Sequence, residues 1–133
     1  SADIIRQQVE GIDQLDAAKL AAMHRIKDHA HAMKSCILSG DIKGMADILR
    51  QSWLSKKQTA AAISTSTVDG LLDIAMASGA WAGKVSGAGG GGFIMLLADP
   101  ERRLGLIRAL NANGGQASAV KLTFDGAEAW TVP

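Results

Sequence analysis

The stretch Lys84–Phe93 reads K-V-S-G-A-G-G-G-G-F and puts five glycines into the six positions from Gly87 to Gly92. Side chains are almost absent there. Glycine tolerates positive φ and close backbone approach at an entropic cost, so such a run is retained where main-chain N–H groups must converge, typically on an anion. Two apolar segments of strand length flank it, Ala80–Val85 and Phe93–Ala98, so the run reads as the turn of a β-hairpin. It is longer than the two to five residues, roughly, that a hairpin turn needs. A tightly packed turn without a ligand is the structural alternative.

Three phosphate-binding glycine patterns can be tested against the run. Gly87, Gly89 and Gly92 match G-x-G-x-x-G in form, but a dinucleotide fold opens a helix at that motif, and here Phe93-Ile94-Met95-Leu96-Leu97 reads as a strand. A Walker loop needs Lys and then Ser or Thr after its last glycine, and Phe93 and Ile94 stand there. A protein-kinase loop suits a hairpin, yet no V-A-I-K, H-R-D or D-F-G follows.

A chain of 133 residues, 47% hydrophobic and 20% charged, supports one domain with its own core. The formal net charge of +1 argues against a nucleic-acid or anionic-membrane surface, so phosphate recognition has to be local. The single Cys36 cannot form an internal disulfide and is read as a small buried hydrophobe. With no signal peptide and no apolar run of about 18 residues, the expected location is the cytoplasm. The start at Ser1-Ala2-Asp3, leading straight into an amphipathic run, suggests a fragment of a longer protein.

Along the chain, Ile4, Ile5, Val9, Ile12, Leu15, Leu20, Met23, Ile26, Met33, Ile37 and Leu38 follow helical spacing, with Gly11 as the weak point. Gly40 suits a C-terminal cap and Asp41 an N-terminal one. Ile42, Met45, Ile48, Leu49 and Trp53 give the next helix one buried face, and the two helices should form an antiparallel hairpin. His24, His29 and His31 do not share a helix face and have no close carboxylate pair, which argues against a metal site. Ala60–Thr67 reads as a loop, with Ser66 or Thr67 capping a helix over Val68–Ala77 that Gly79 ends. Asp99-Pro100-Glu101 starts a further helix and Asn113-Gly114-Gly115 stops it. Ala117–Thr123 and Ala127–Val132 are expected strands around an Asp125-Gly126 turn, ended by Pro133. Helices first and strands later argue for an α+β fold: a ferredoxin-like, four-stranded, mainly antiparallel sheet covered by helices, with an N-terminal helical hairpin. The helical part spans 1–79 and the sheet part 80–133.

The motif K-V-S-G-A-G-G-G-G resembles the third motif of the GHMP kinases, the small-molecule kinases that include galactokinase, homoserine kinase and mevalonate kinase, where it runs close to K-L-T-G-A-G-G-G-G. The context Gly79-Ala80-Trp81-Ala82-Gly83 before it, Phe93-Ile94-Met95 after it, and Trp53-Leu54-Ser55-Lys56-Lys57 upstream are most similar to the heptose-phosphate kinase branch. The resemblance extends over the whole chain and implies the C-terminal domain of such a kinase, which also has the ferredoxin-like arrangement.

That resemblance implies phosphoryl transfer from ATP with Mg2+ to a sugar hydroxyl in a complete enzyme. The phosphate loop, with its P-x-x-x-G-L-G-S-S-A signature, and the catalytic residues lie in an N-terminal domain this chain lacks. No catalytic residue or metal ligand is expected here, and the fragment alone should be inactive. The candidate substrate- and phosphate-binding residues are Ser86, Gly87, Ala88, Gly89, Gly90, Gly91 and Gly92, together with Lys84, Trp53, Lys56 and Lys57. Lys84 precedes the loop by three positions, so strand alternation leaves the direction of its charge open. Lys56 and Lys57 either face a polyol phosphate or form a solvated helix end. The expected partners are a sugar phosphate and the N-terminal kinase domain, with a homodimer left open. The competing class is a stand-alone ferredoxin-like module that binds an anion without chemistry.

Overall fold

The computed structural model describes every residue except 1, 15, 124, 127, 130, 132 and 133. The elements run α1 (Ala2–Asp13), α2 (Ala17–Ser39), α3 (Ile42–Lys57), a single 3-10 turn (Ala61–Ile63), α4 (Ser66–Ala77), β1 (Ala80–Val85), β2 (Ile94–Ala98) and α5 (Arg103–Ala112). The fold is α+β, as expected.

The helix boundaries follow from caps. Asp16 stops the N-terminal pattern from running as one helix: its Oδ1 accepts the N–H groups of Ala18 at 3.1 Å and Lys19 at 3.2 Å and so opens α2. Leu15, counted in that pattern, is outside the described residues. Gly40 closes α2 in the left-handed region at φ 70°. Asp41 then caps α3 through Gly44 N–H at 2.9 Å, so α2 and α3 turn back on each other as the anticipated hairpin. Thr65, rather than Ser66 or Thr67, caps α4, with Val68 N–H donating to its Oγ1 at 3.2 Å. Asp99 spends its side chain on a turn, accepting from Glu101 N–H at 2.9 Å, and α5 begins only at Arg103. Cys36 is half-buried, not a core residue.

The hairpin β1–β2 is antiparallel, with Lys84 opposite Met95 and Val85 opposite Ile94. A bulge between Ala80 and Ala82 inserts Trp81 as an unpaired extra residue. Below the bulge Ala80 joins Ala75, Leu106 and Leu110, whereas Ala82 packs with Ala46 and Leu49 of α3. Helices therefore cover both faces of the hairpin. The largest cluster gathers Ile4, Trp53, Ala60, Ile63, Val68, Leu72 and Val85, so it joins α1, α3, the 3-10 turn, α4 and β1 in one core.

The expected four-stranded sheet is not formed among the described residues, where the sheet has two strands. The anticipated strand at 117–123 is irregular. At its exit from α5, Asn111 accepts the Ala117 N–H at 2.6 Å and donates to the Ala117 carbonyl at 3.4 Å, and Ala117 packs against the cluster of Ala80, Leu106 and Leu110 without joining a ladder. Val120 and Leu122 are then 84% and 96% exposed, so the period-two apolar pattern there has nothing to bury against. Of the second anticipated strand, Ala127, Trp130 and Val132 lie outside the described residues, as does Pro133.

Candidate functional site

The last turn of α3, the end of β1 and the glycine loop meet at one place. Ser86 N–H donates to Phe93 O at 2.8 Å and closes the hairpin, leaving Gly87–Gly92 as the loop proper. Gly87, Gly89, Gly90, Gly91 and Gly92 all have positive φ, between 79° and 144°, which accounts for the near-absence of side chains. Midway along the loop, Gly90 N–H donates to Ile63 O at 2.8 Å, and a Cβ on Gly89 would stand 3.1 Å from Ile63. The loop thus rests on the 3-10 turn at Gly89 and Gly90, with Ala88 half-buried against the main core. Gly91 and Gly92 have open space where a Cβ would be.

The root of the loop is held by a buried cation. Lys56, 8% exposed, donates from Nζ to the Val85 carbonyl at 3.1 Å and also to the Gly87 carbonyl. One strand residue on, the Lys84 ammonium donates to Ser52 Oγ at 2.6 Å, and Ser52 stands one helical turn before Lys56 on α3. Burial pushes the pKa of both lysines below the ordinary lysine range, and the neighbouring Lys84 charge lowers that of Lys56 further.

Both lysines line a cavity of about 520 Å3 between α2, α3 and the hairpin, together with Ser52, Ser86, Gly87, Gln8 and His29 and an apolar wall that includes Ile26, Met33, Ile48 and Met95. Gln8 is fixed by its Nε2 donating to Thr59 Oγ1 at 2.8 Å. His29 Nδ1 is buried without a partner. The volume is within the usual range for a small-molecule site.

Of the residues expected from sequence, the structure brings Lys84, Lys56, Ser86 and Gly87 to this cavity. Ala88, Gly89 and Gly90 pack on the core, and Gly91 and Gly92 form the exposed tip. Trp53 and Lys57 lie elsewhere: Trp53 is a core residue, and Lys57 Nζ sits 5.6 Å from the Trp53 ring centroid and 3.9 Å from Asp69. Ser52 and Gln8 were not among the residues expected from sequence, and His29 was weighed there only as a metal ligand. Ser52 had a signal, its helical spacing of four from Lys56; the other two had none, because Gln8 and His29 enter from helices whose placement only the fold supplies. Among the described residues no group of three or more His, Cys, Asp or Glu side chains could hold a metal ion, and no helix is long and apolar enough to cross a membrane.

Comparison with known proteins agrees with this anatomy. Residues 33–116 match the family described as GHMP kinases C terminal, a span that contains α3, α4, the hairpin, the glycine loop and α5. Over 117 residues the chain is 36% identical to the D-glycero-alpha-D-manno-heptose 7-phosphate kinase of Campylobacter jejuni, an alignment covering 88% of this chain and 34% of that protein. The chain thus spans about a third of the length of this curated relative. With the matched region covering more than half of its length, the chain belongs to the GHMP kinase C-terminal family.

Proposed function

We propose that this chain is the substrate-side C-terminal domain of an ATP-dependent sugar kinase, which transfers the terminal phosphoryl group of ATP to a hydroxyl of a heptose phosphate. The observation that carries the reading is the glycine loop, pinned at Gly87 by Lys56 and at Gly90 by Ile63, with a bare tip beside a cavity of small-molecule size. Phosphoryl transfer depends on positioning and charge neutralisation more than on covalent chemistry. A pinned loop of bare main chain supplies positioning: Ser86 offers a hydroxyl, and Gly91 and Gly92 allow close approach of a phosphorylated ligand. Lys56 and Lys84 supply charge. Trp53 and Lys57 support the site from behind, through the packing of the α3 end.

Among the described residues no group of three or more His, Cys, Asp or Glu side chains could hold a metal ion by itself. Mg2+ and the phosphates of ATP would be held by the rest of the complete protein. There the segments 117–123 and 127–132 would add to the open edges of the hairpin and complete a four-stranded sheet, a role suited to the alternation of Val120 and Leu122. The test is a coupled ADP-release assay on the full-length protein with ATP, Mg2+ and a panel of heptose and hexose phosphates. Turnover with a heptose phosphate is expected. Absence of turnover with every sugar phosphate, in a protein whose upstream sequence also lacks a phosphate loop, would overturn the reading in favour of a stand-alone anion-binding module.

A further inference from the structure

We propose that the cavity between α2, α3 and the hairpin is a phosphomonoester subsite in which Lys56 and Lys84 together bind the phosphate that the sugar substrate already carries. The identity of that ligand rests on the sugar-kinase reading; the existence of an anion site does not.

The chain is close to neutral, with 14 Lys and Arg against 13 Asp and Glu, so it has no general surplus of cations to distribute. Yet two ammonium groups lie close enough for one to disfavour the charge of the other. No Asp or Glu is among the described residues that line the cavity, and none of the ion pairs among the described residues involves Lys56 or Lys84. By contrast Lys19, Lys57, Arg6 and Arg50 each have a carboxylate partner. Burying adjacent like charges without a counterion costs free energy, and a dianion entering the cavity repays that cost by neutralising both.

The neutral donors support the same ligand. Ser52 and Ser86 bring hydroxyls, and Gln8 is anchored by Thr59 at the wall. His29 also stands in the wall. The apolar remainder of the wall suits a carbon skeleton. Lys56 also holds the carbonyls of Val85 and Gly87, so a phosphate that recruits its ammonium acts directly on the root of the glycine loop. Occupancy of the subsite and the setting of the loop are thereby coupled through one side chain.

The experiment uses the full-length protein and four forms: wild type, Lys84→Gln, Lys84→Arg and Ser52→Asp. The Asp variant places a carboxylate beside the Lys84 ammonium, so the Lys84 charge is offset from within even if Lys84→Gln fails to fold. Thermal midpoints are measured with and without inorganic phosphate, with chloride matching the ionic strength. Steady-state kinetics are measured with heptose 7-phosphate, with the same heptose lacking phosphate, and with ATP. Phosphate should raise the midpoint of wild type and Lys84→Arg but not of Lys84→Gln or Ser52→Asp. KM for heptose 7-phosphate should rise about tenfold or more in Lys84→Gln and Ser52→Asp, the usual cost of losing a charged hydrogen-bond partner. KM for the unphosphorylated heptose should stay the same. A rise confined to KM for ATP would overturn the assignment to the sugar's phosphate and give the anion site to the nucleotide. An enzyme with no kinase turnover but a Lys84-dependent phosphate stabilisation would keep the anion site while removing the kinase reading. Normal turnover with unchanged KM values and an unchanged phosphate response in the Lys84→Gln and Ser52→Asp variants would overturn the proposal.

Discussion

The Nζ of Lys56 donates to the main-chain carbonyl of Val85 at 3.1 Å, tying the last turn of α3 to the last residue of β1 across 29 positions of sequence. A second bond from the same ammonium reaches Gly87, so a single side chain fixes where the strand ends and the glycine loop begins.

Stability should rise with pH above neutrality. Both Lys56 and Lys84 have folded-state pKa values below the ordinary 10.5. Between the folded and unfolded values the unfolded chain binds more protons, so unfolding free energy increases with pH across that window and levels off above the unfolded value. Below the folded-state values both states are protonated and the cost of burying the charges is fully present. Urea denaturation of wild type and of a Lys56→Met, Lys84→Met double variant at pH 7 and 9.5 checks this: the wild-type increase should shrink in the variant. An equal increase in both would place its origin in other groups.

Gly90→Val should damage both the fold and the reaction. Gly90 has φ +79°, its N–H is bonded to Ile63, and a Cβ would lie 3.0 Å from Ile4 Cδ1 and 3.3 Å from Ala62 O. A destabilisation of about 1 to 3 kcal/mol is expected from strain and crowding, with kcat/KM in the complete enzyme falling about tenfold. Sequence alone leads one to expect the kinetic loss without the thermal one; contact with the 3-10 turn adds the latter. Gly91→Ala, with open space at its Cβ but φ +144°, removes the crowding contribution and leaves the backbone strain beside the kinetic loss.

Replacing Lys56 and Lys57 one at a time by Met should give opposite results. Lys56→Met removes the tie to Val85 and Gly87 and should raise KM for the sugar phosphate. Lys57→Met removes a cation over Trp53 and a half-exposed pair with Asp69, and should cost about 0.5 to 1 kcal/mol of stability while KM for the sugar stays within about twofold. A larger KM effect from Lys57 would mean that the α3 end is presented differently in the complete enzyme.

Gly83→Ala tests the packing beneath the site. A Cβ there would stand 2.6 Å from both Leu72 and Leu96, inside a closed core between the hairpin and α4. Overpacking of this kind costs about 1 to 3 kcal/mol. Calorimetry should show the loss, and an unchanged midpoint would indicate that α4 moves freely against the hairpin.

Where local chemistry sets the structure, the sequence could be read. Gly40 and Asp41 form the turn between α2 and α3 because the one has no Cβ to oppose a left-handed φ and the other has a carboxylate to cap the next helix, and the hairpin from 80 to 98 follows from two apolar runs around glycines. Caps that compete within one cluster were less legible: Ser64 to Thr67 offer four hydroxyls, and only tertiary placement selects Thr65. The pattern at 117–123 has strand periodicity, but a strand needs a neighbour, and among the described residues none pairs with it. Adjacent lysines could not be assigned to one face as a pair, because successive helical residues diverge by about 100°; burial then separates Lys56 from Lys57.

The bulge at Trp81 decides on which side of the sheet a charge is placed. Strict alternation from Ala80 would put Ala80, Ala82 and Lys84 on one side, and the hairpin would then have to choose between anchoring its start under α5 and offering an ammonium to Ser52. One extra residue resets the phase, so the first residue of β1 faces Leu106 and Leu110 while the fifth faces α3. The two ends of the strand are thereby insulated from each other: substitutions beneath α5 can be absorbed without turning the cavity's cation, whereas deletion of the single residue Trp81 would force the choice again.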